Sequence, residues 1–282
     1  MKLFTQSCLL LASFILLFIS CTVQDHLQPS SVYQNCRLSV VSRNNAAKLL
    51  PGEDIKVGDL HYAATIYDAG KPFIVREITV EDGKTYAIGG SPYDLIYEYD
   101  ANGKVLKTED NTPSDKYTTY YEYLPNQIKT RETAFKRSND ILTTHTLNNQ
   151  GLVTNTSFEY GAFVASTPTY DENGYVVERK NSSGESIKYT IKNGNTIKKE
   201  FAGASTVYEY DLSRPNLPNP LPFFGKENRN LLVKESTSTE TSHIEYKYLF
   251  DNDGRVKRMI TKVISGGESF VQGFTDYEYS CQ

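Results

Sequence analysis

Tyr97-Glu98-Tyr99-Asp100-Ala101-Asn102-Gly103-Lys104-Val105 is the stretch whose reading decides the fold. Successive side chains of a strand point to opposite faces, so Tyr97 and Tyr99 share one face and Glu98 takes the other. Asn102-Gly103 supplies the positive φ that a tight turn requires. Lys104-Val105 then starts a returning strand. One such hairpin is marginal in water, so units of this kind have to stack edge to edge.

Versions of the unit run through most of the chain. Tyr121-Glu122-Tyr123 precedes Asn126-Gln127, His145-Thr146-Leu147 precedes Gly151, and Pro168-Thr169-Tyr170 leads into Asp171-Glu172-Asn173-Gly174. Lys188-Tyr189-Thr190 is followed by Asn193-Gly194, and Tyr248-Leu249-Phe250 by Asp251-Asn252-Asp253-Gly254. Tyr208-Glu209-Tyr210-Asp211 opens a unit that a long insertion interrupts, and Tyr277-Glu278-Tyr279 closes the chain as a last strand. A short recurring period is the mark of stacked supersecondary units. The expected fold is all-β: an antiparallel meander of repeated hairpins forming a large curled or rolled sheet. Its alternation predicts one packed face and one wet face. Residues 36–90 show the repeat least. There Leu38–Val41 reads as a first strand, Asn45–Leu50 as a helical turn stopped by Pro51-Gly52, and Ile74–Val80 with Thr85–Ile88 as a hairpin about Asp82-Gly83.

The chain has 282 residues, ample for one large domain. Its net charge of −4 offers no basic excess to neutralise phosphates, so no nucleic-acid partner is expected. Tyr is abundant, at 21, and its preference for pleated, half-buried surfaces agrees with the β reading. A mean hydropathy of −0.47 excludes a polytopic membrane protein.

Lys2 and the apolar run Leu9–Ile19, followed by Ser20-Cys21, read as a secretory signal over residues 1–20. The small residue followed at once by Cys resembles the lipobox of bacterial lipoproteins, with Phe18 where that family usually has Leu. The resemblance implies a diacylated Cys21 at the head of the mature chain, hence a membrane contact through an N-terminal lipid anchor and an envelope location at the outer membrane. Residues 21–35, polar and containing Pro29, read as a flexible tether. The folded domain then spans 36–282. Cys36 and Cys281 remain within it, one at each end. An exported compartment favours a disulfide between them over two free thiols. Closing so long a loop is worth roughly 4–5 kcal/mol in the chain-entropy account.

Tyr97–Val105 and Tyr170-Asp171-Glu172-Asn173-Gly174-Tyr175-Val176 resemble the YD repeats of RHS-type proteins. The insertion, Asn230–Glu235 and Tyr248–Val256 more specifically resemble a lipoprotein family of the Bacteroidetes with YD-like repeats and no assigned function. The likeness covers roughly residues 90–282 and implies a β-meander and no activity.

The insertion 211–230 is the main irregularity. Four prolines, Pro215, Pro218, Pro220 and Pro222, stiffen it. Phe223, Phe224 and Arg214 are its candidate ligand or partner contacts, the alternative being that both Phe fold back to cover an otherwise open apolar face. Asp100-x-Asn102-Gly103 and its relatives resemble starts of calcium loops but lack the bidentate Glu at the twelfth position, and turn chemistry explains the same residues. His26, His61, His145 and His243 form no tight ligand cluster, and no metal or cofactor is expected. The repeated Glu98, Glu122 and Glu209 read as solvated charge on the outward face. The chain therefore reads as a lipid-anchored, non-catalytic β-repeat protein that binds a glycan or protein partner or supports an envelope assembly. The alternative is a glycan-active hydrolase whose carboxylates meet from distant strands.

Overall fold

The computed structural model of the protein describes residues 31–48, 67–68, 71–72, 75–112, 114–159, 166–181 and 183–282. The expected signal peptide, Cys21 and most of the expected tether lie outside them. The chain divides into Met1–Gln34 and Asn35–Gln282. Of the first unit, a single 3-10 turn at Ser31–Tyr33 is described.

The second unit is strand after strand. They are β1 (Cys36–Lys48), a two-residue pair β2 (Tyr67–Asp68) and β3 (Lys71–Pro72), β4 (Val75–Glu81), β5 (Lys84–Tyr99), β6 (Val105–Asn111) and β7 (Lys116–Leu124). Then come β8 (Gln127–Ala134), β9 (Ile141–Leu147), β10 (Val153–Phe158), β11 (Thr167–Tyr170), β12 (Val176–Lys180) and β13 (Ser186–Lys192). The last are β14 (Asn195–Phe201), β15 (Ala204–Pro215), β16 (Asn230–Thr237), β17 (His243–Phe250), β18 (Val256–Ser265) and β19 (Glu268–Cys281). All but β2 and β3 belong to one 17-stranded sheet.

The sheet is not an open roll. β1 pairs antiparallel with β19 on one side and with β5 on the other. From β5 the ladder runs strand by strand to β10, and from β11 to β19. β10 and β11 are neighbours, and the described residues there are joined by the Tyr170 hydroxyl, which donates to the Val153 carbonyl at 2.8 Å. The result is a nearly closed, barrel-like sheet, which corrects the expectation of a curled or rolled one. The physical reason is the N-terminal strand: residues 36–48 form a closing strand rather than an irregular prelude. Asn45–Lys48 lie in β1 opposite Gly89–Tyr86 of β5, so sheet pairing overrides the helical preference of Ala46-Ala47. A disulfide joins Cys36 to Cys281 at the end of the same β1–β19 ladder.

Cross-strand register separates two faces. One carries the triplet tyrosines with Val105, Thr108, Ile128, Thr130, His145 and Val153, mostly buried or half-buried. The other carries Glu98 against Lys107, Glu122 against Lys129 and Glu209 against Lys234. At one end of the barrel the turns are built alike. Asp100 Oδ1 accepts from the amides of Asn102 and Lys104, and Asn148, Asp171 and Asp251 do the same for their own turns. Gly103 sits at φ +85°, and a side chain there would also collide with the Arg37 guanidinium.

After most of these turns the returning strand carries a β-bulge. Bulges follow Leu38, Val105, Val153, Val176, Thr196, Leu232 and Val256. A bulge disturbs the ladder and leaves backbone polar groups in need of partners. Six of these seven residues have a carbonyl that accepts a tyrosine hydroxyl: Tyr99 to Leu38, Tyr123 to Val105, Tyr170 to Val153, Tyr210 to Thr196, Tyr248 to Leu232 and Tyr279 to Val256. The β7–β8 pairing has no bulge, and there the next strand offers Leu147 instead of a tyrosine. The repeated tyrosine is therefore more than a packing ring: its hydroxyl caps the bulge of the neighbouring strand.

At the far end the β4–β5 hairpin lies over the charged face of β17–β19. Tyr86, Ile88, Ile260, Val271 and Phe274 form a core cluster there. Arg258 bridges Glu77 at 2.8 Å and Asp276 at 2.5 Å, and holds the Glu77 carboxyl below its usual range. Asp82 pairs with Lys262 and Lys247.

Candidate functional site

The loop between β15 and β16 closes the end of the barrel that carries the Asx turns. Its stem is locked by two asparagines. Asn195 Nδ2 donates to Asn230 Oδ1 at 3.0 Å, the Asn230 amide donates back to Asn195 Oδ1 at 3.0 Å, and Asn230 Nδ2 reaches the carbonyls of Leu212 and Arg214. Further along, the Lys226 and Arg229 amides donate to the carbonyls of Gly174 and Gly194. Pro222–Phe224 forms a 3-10 turn ended by Gly225, whose φ of 113° and whose contacts with Tyr170 and Val176 leave no place for a side chain.

This path carries Phe223 onto the tyrosine face of β7–β10. Its ring lies 6.4 Å from Tyr121, 6.3 Å from Tyr123 and 6.3 Å from His145, within a cluster that includes Ile128 and Val153. Seven strand spacings separate β15 from β8, about 34 Å along the wall at the usual inter-strand distance. The segment from Pro215 to Phe223 spans at most about 29 Å when fully extended. The loop therefore crosses the inside of the barrel, and at this end the tyrosine face is the inner one. Burial pushes the Tyr123 hydroxyl up to about 12 and draws the His145 imidazole down, so the ring stays neutral among Phe223, Phe224 and Thr156.

The three loop residues singled out in the sequence have separate fates. Phe223 is 6% exposed and covers the apolar inner face. Phe224 keeps 36% of its surface and meets His145 edge-on at 5.2 Å. Arg214 stacks over the Phe250 ring at 4.5 Å on another side of the stem. The loop does not bring them together as one contact surface.

Two recesses lie nearby. A recess of about 410 Å³ lies beside the loop, between Pro220, Pro222 and Phe223 and the turns holding Lys104, Leu124, Gln150 and Leu152. A larger one, about 650 Å³, lies across β7–β10. Most of its lining is two successive rungs of the charged face. Glu122, Lys129, Thr144 and Ser157 stand opposite one another along one rung, and Tyr120, Arg131 and Leu142 along the next. Glu159 continues the second rung, its amide donating to the Leu142 carbonyl at 3.0 Å. Arg131 stacks on Tyr120 at 4.8 Å. Sequence reading missed this strip because its facing members are 7 to 17 residues apart and meet only through register. Of the three repeated glutamates Glu98, Glu122 and Glu209, Glu122 alone lines it; Glu98 pairs with Lys107 at 2.5 Å, and Glu209 lies 3.5 Å from Lys234. Among the described residues no group of three or more His, Cys, Asp or Glu converges as a metal site.

No family model matches the chain. No curated protein matches it either. Among solved structures, that of a porin-like protein from Bacteroides uniformis superposes with a TM-score of 0.52 at 15% identity, over 86% of this chain and 98% of that one. The fold is similar to that of a porin-like protein. A second porin-like protein, from Bacteroides vulgatus, matches over the same shares at 11% identity, and its TM-score of 0.23 adds nothing to the comparison. At such identities the likeness concerns the fold alone.

Proposed function

We propose that the protein is an exported, lipid-anchored and non-catalytic barrel of the bacterial envelope that binds an extended glycan across β7–β10. The observation that carries the reading is the two-rung strip. It offers hydroxyls from Thr144 and Ser157, charged hydrogen-bonding groups from Glu122, Lys129 and Arg131, and a partly exposed ring in Tyr120, all in one recess of about 650 Å³. A row of polar groups beside an aromatic ring suits a chain of sugar hydroxyls. The anchor rests on Ser20-Cys21 after the apolar run. The recurring tyrosines and Asx-Gly turns support kinship with YD-like envelope lipoproteins.

The charged face bears on how the barrel meets the membrane. Glu98, Lys107, Glu122, Lys129, Lys198, Glu200, Glu209 and Lys234 recur along it. A lipid-facing barrel wall needs an apolar outward band, and each charge at mid-bilayer costs about 2–4 kcal/mol for Lys or Arg. The reading is thus a water-facing barrel on a tether, not a pore.

A glycan-array screen of the mature chain tests the proposal. Binding that falls at least tenfold in Tyr120→Ala and Lys129→Ala is expected, and no binding to any glycan refutes it. Hydrolysis is the second reading, because Glu122 and Glu159 share the recess. Release of reducing ends, lost in Glu122→Gln and Glu159→Gln, would select it over pure binding.

A further inference from the structure

The recess beside the Pro-rich loop has a different chemistry from the glycan strip. Pro220, Pro222, Phe223, Ile128, Leu147 and Leu152 give it apolar walls. Its polar side chains are Lys104, Gln150 and Tyr123; the Gln150 amide already donates to the Glu172 carbonyl at 3.3 Å, and the Tyr123 hydroxyl to the Val105 carbonyl at 3.0 Å. Such a lining offers a sugar almost nothing to bond.

Two cations stand at its edge. The Lys104 ammonium lies over the Tyr123 ring at 5.0 Å. The Arg37 guanidinium lies against Gly103, itself part of the recess, and over the Tyr99 ring at 5.7 Å. Neither makes an ion pair with a carboxylate among the described residues. Both are stacked on aromatic rings, which holds the charge in place without neutralising it.

The third observation is where the chain enters. Cys36 begins β1 at this same end, paired with Cys281 beside the Asp251 turn. Cys21 precedes Cys36 by 15 residues. A chain of that length reaches at most about 54 Å. An anchor at Cys21 would therefore tether the barrel through its loop end, with Cys36 within that distance of the bilayer.

We propose that this recess takes a single-chain anionic lipid from the membrane that carries the protein, with the acyl tail against Pro220, Pro222, Phe223, Ile128, Leu147 and Leu152 and the head group on Lys104 and Arg37. A volume of about 410 Å³ falls in the usual range for a small-molecule site. The membrane as the source of the lipid rests on the anchor reading above; the pocket itself does not.

The test uses the full mature chain carrying Cys21→Ser, titrated calorimetrically with dodecyl phosphate and with neutral-headed dodecyl maltoside. Dodecyl phosphate should bind one to one and more tightly than the maltoside. Lys104→Ala with Arg37→Ala should weaken the phosphate at least tenfold and leave the maltoside unchanged. Gln150→Trp, at an exposed position on the rim, should abolish both. Absence of one-to-one binding overturns the proposal, as does binding indifferent to Gln150→Trp. With the unaltered protein in phosphatidylglycerol vesicles doped with fluorescent lysophosphatidylglycerol, the label should transfer to the protein. If Cys21 fails to take up an alkyne fatty acid in cells, the anchor and the membrane source fall together. If Cys21 is acylated and dodecyl phosphate does not bind, the recess falls alone.

Discussion

Tyr123→Phe tests the bulge-capping role of the repeated tyrosine. The substitution removes one hydroxyl and keeps the ring, so it opens no cavity. What it leaves behind is the Val105 carbonyl, which accepts that hydroxyl at 3.0 Å in a residue with no exposed surface. An unsatisfied buried polar group costs about 1–3 kcal/mol. For a domain of this size each kcal/mol moves the melting temperature by about 2–4 °C. Tyr97→Phe is the matched control: it lies on the same face, and its hydroxyl caps no bulge among the described residues. Its expected effect is within about 0.5 kcal/mol. Tyr210→Phe removes the cap of Thr196 on the other side of the circuit, so the double variant with Tyr123→Phe should be additive within about 0.5 kcal/mol. Urea unfolding midpoints at constant slope provide the measurement. If Tyr123→Phe and Tyr97→Phe unfold within 0.3 kcal/mol of each other (about the experimental error), the capping account is wrong.

Three further outcomes are expected. Cys36→Ser with Cys281→Ser should lower stability by up to about 5 kcal/mol for a separation of 245 residues, and a loss below about 1 kcal/mol would show that the β1–β19 ladder alone closes the barrel. Phe223→Ala should cost about 3–5 kcal/mol if loop and barrel unfold together; a smaller loss with rapid proteolysis between Pro215 and Pro222 would mean that the loop opens by itself. Alkaline titration should unfold the protein, because burial raises Tyr97, Tyr123 and Tyr246 to about 12 while the unfolded chain ionises near 10. Above that pH the unfolded state binds fewer protons than the fold, so stability falls as pH rises from about 10 to 12. Retention of native circular dichroism with fully ionised tyrosines would refute it.

The hairpin unit was legible because its chemistry is local. Aromatic alternation, Asx side chains on their own turn amides and glycine at positive φ all act within a few residues. Closure was not. The expected Cys36–Cys281 bridge already implied that the first and last strands lie close, but nothing in Leu38–Lys48 announces that β1 also pairs with β5 and so closes the sheet. The bulges were hidden for a similar reason: their carbonyls are capped by tyrosines 14 to 61 residues distant. The spacing nevertheless contained the signal, since Leu147 replaces the tyrosine where the preceding pairing has no bulge. The strip across β7–β10 could not be found without register, and the apolar recess could not be found without the path of the loop. Phe223 was legible only as a choice between contact and cover, which the length of the crossing loop decides.

The position of β1 also has a mechanical meaning. With the proposed N-terminal anchor in place, a tug on a bound partner would be felt at Cys36. β1 lies between β19 and β5, and the hydrogen bonds of an antiparallel ladder run perpendicular to the strand. A pull along the strand thus loads both ladders in shear, many bonds at once, instead of peeling them one at a time. The Cys36–Cys281 bridge then passes part of the load directly to the last strand. A chain built as a meander, which would unzip readily if pulled from a free edge, is gripped at the one strand it cannot shed singly.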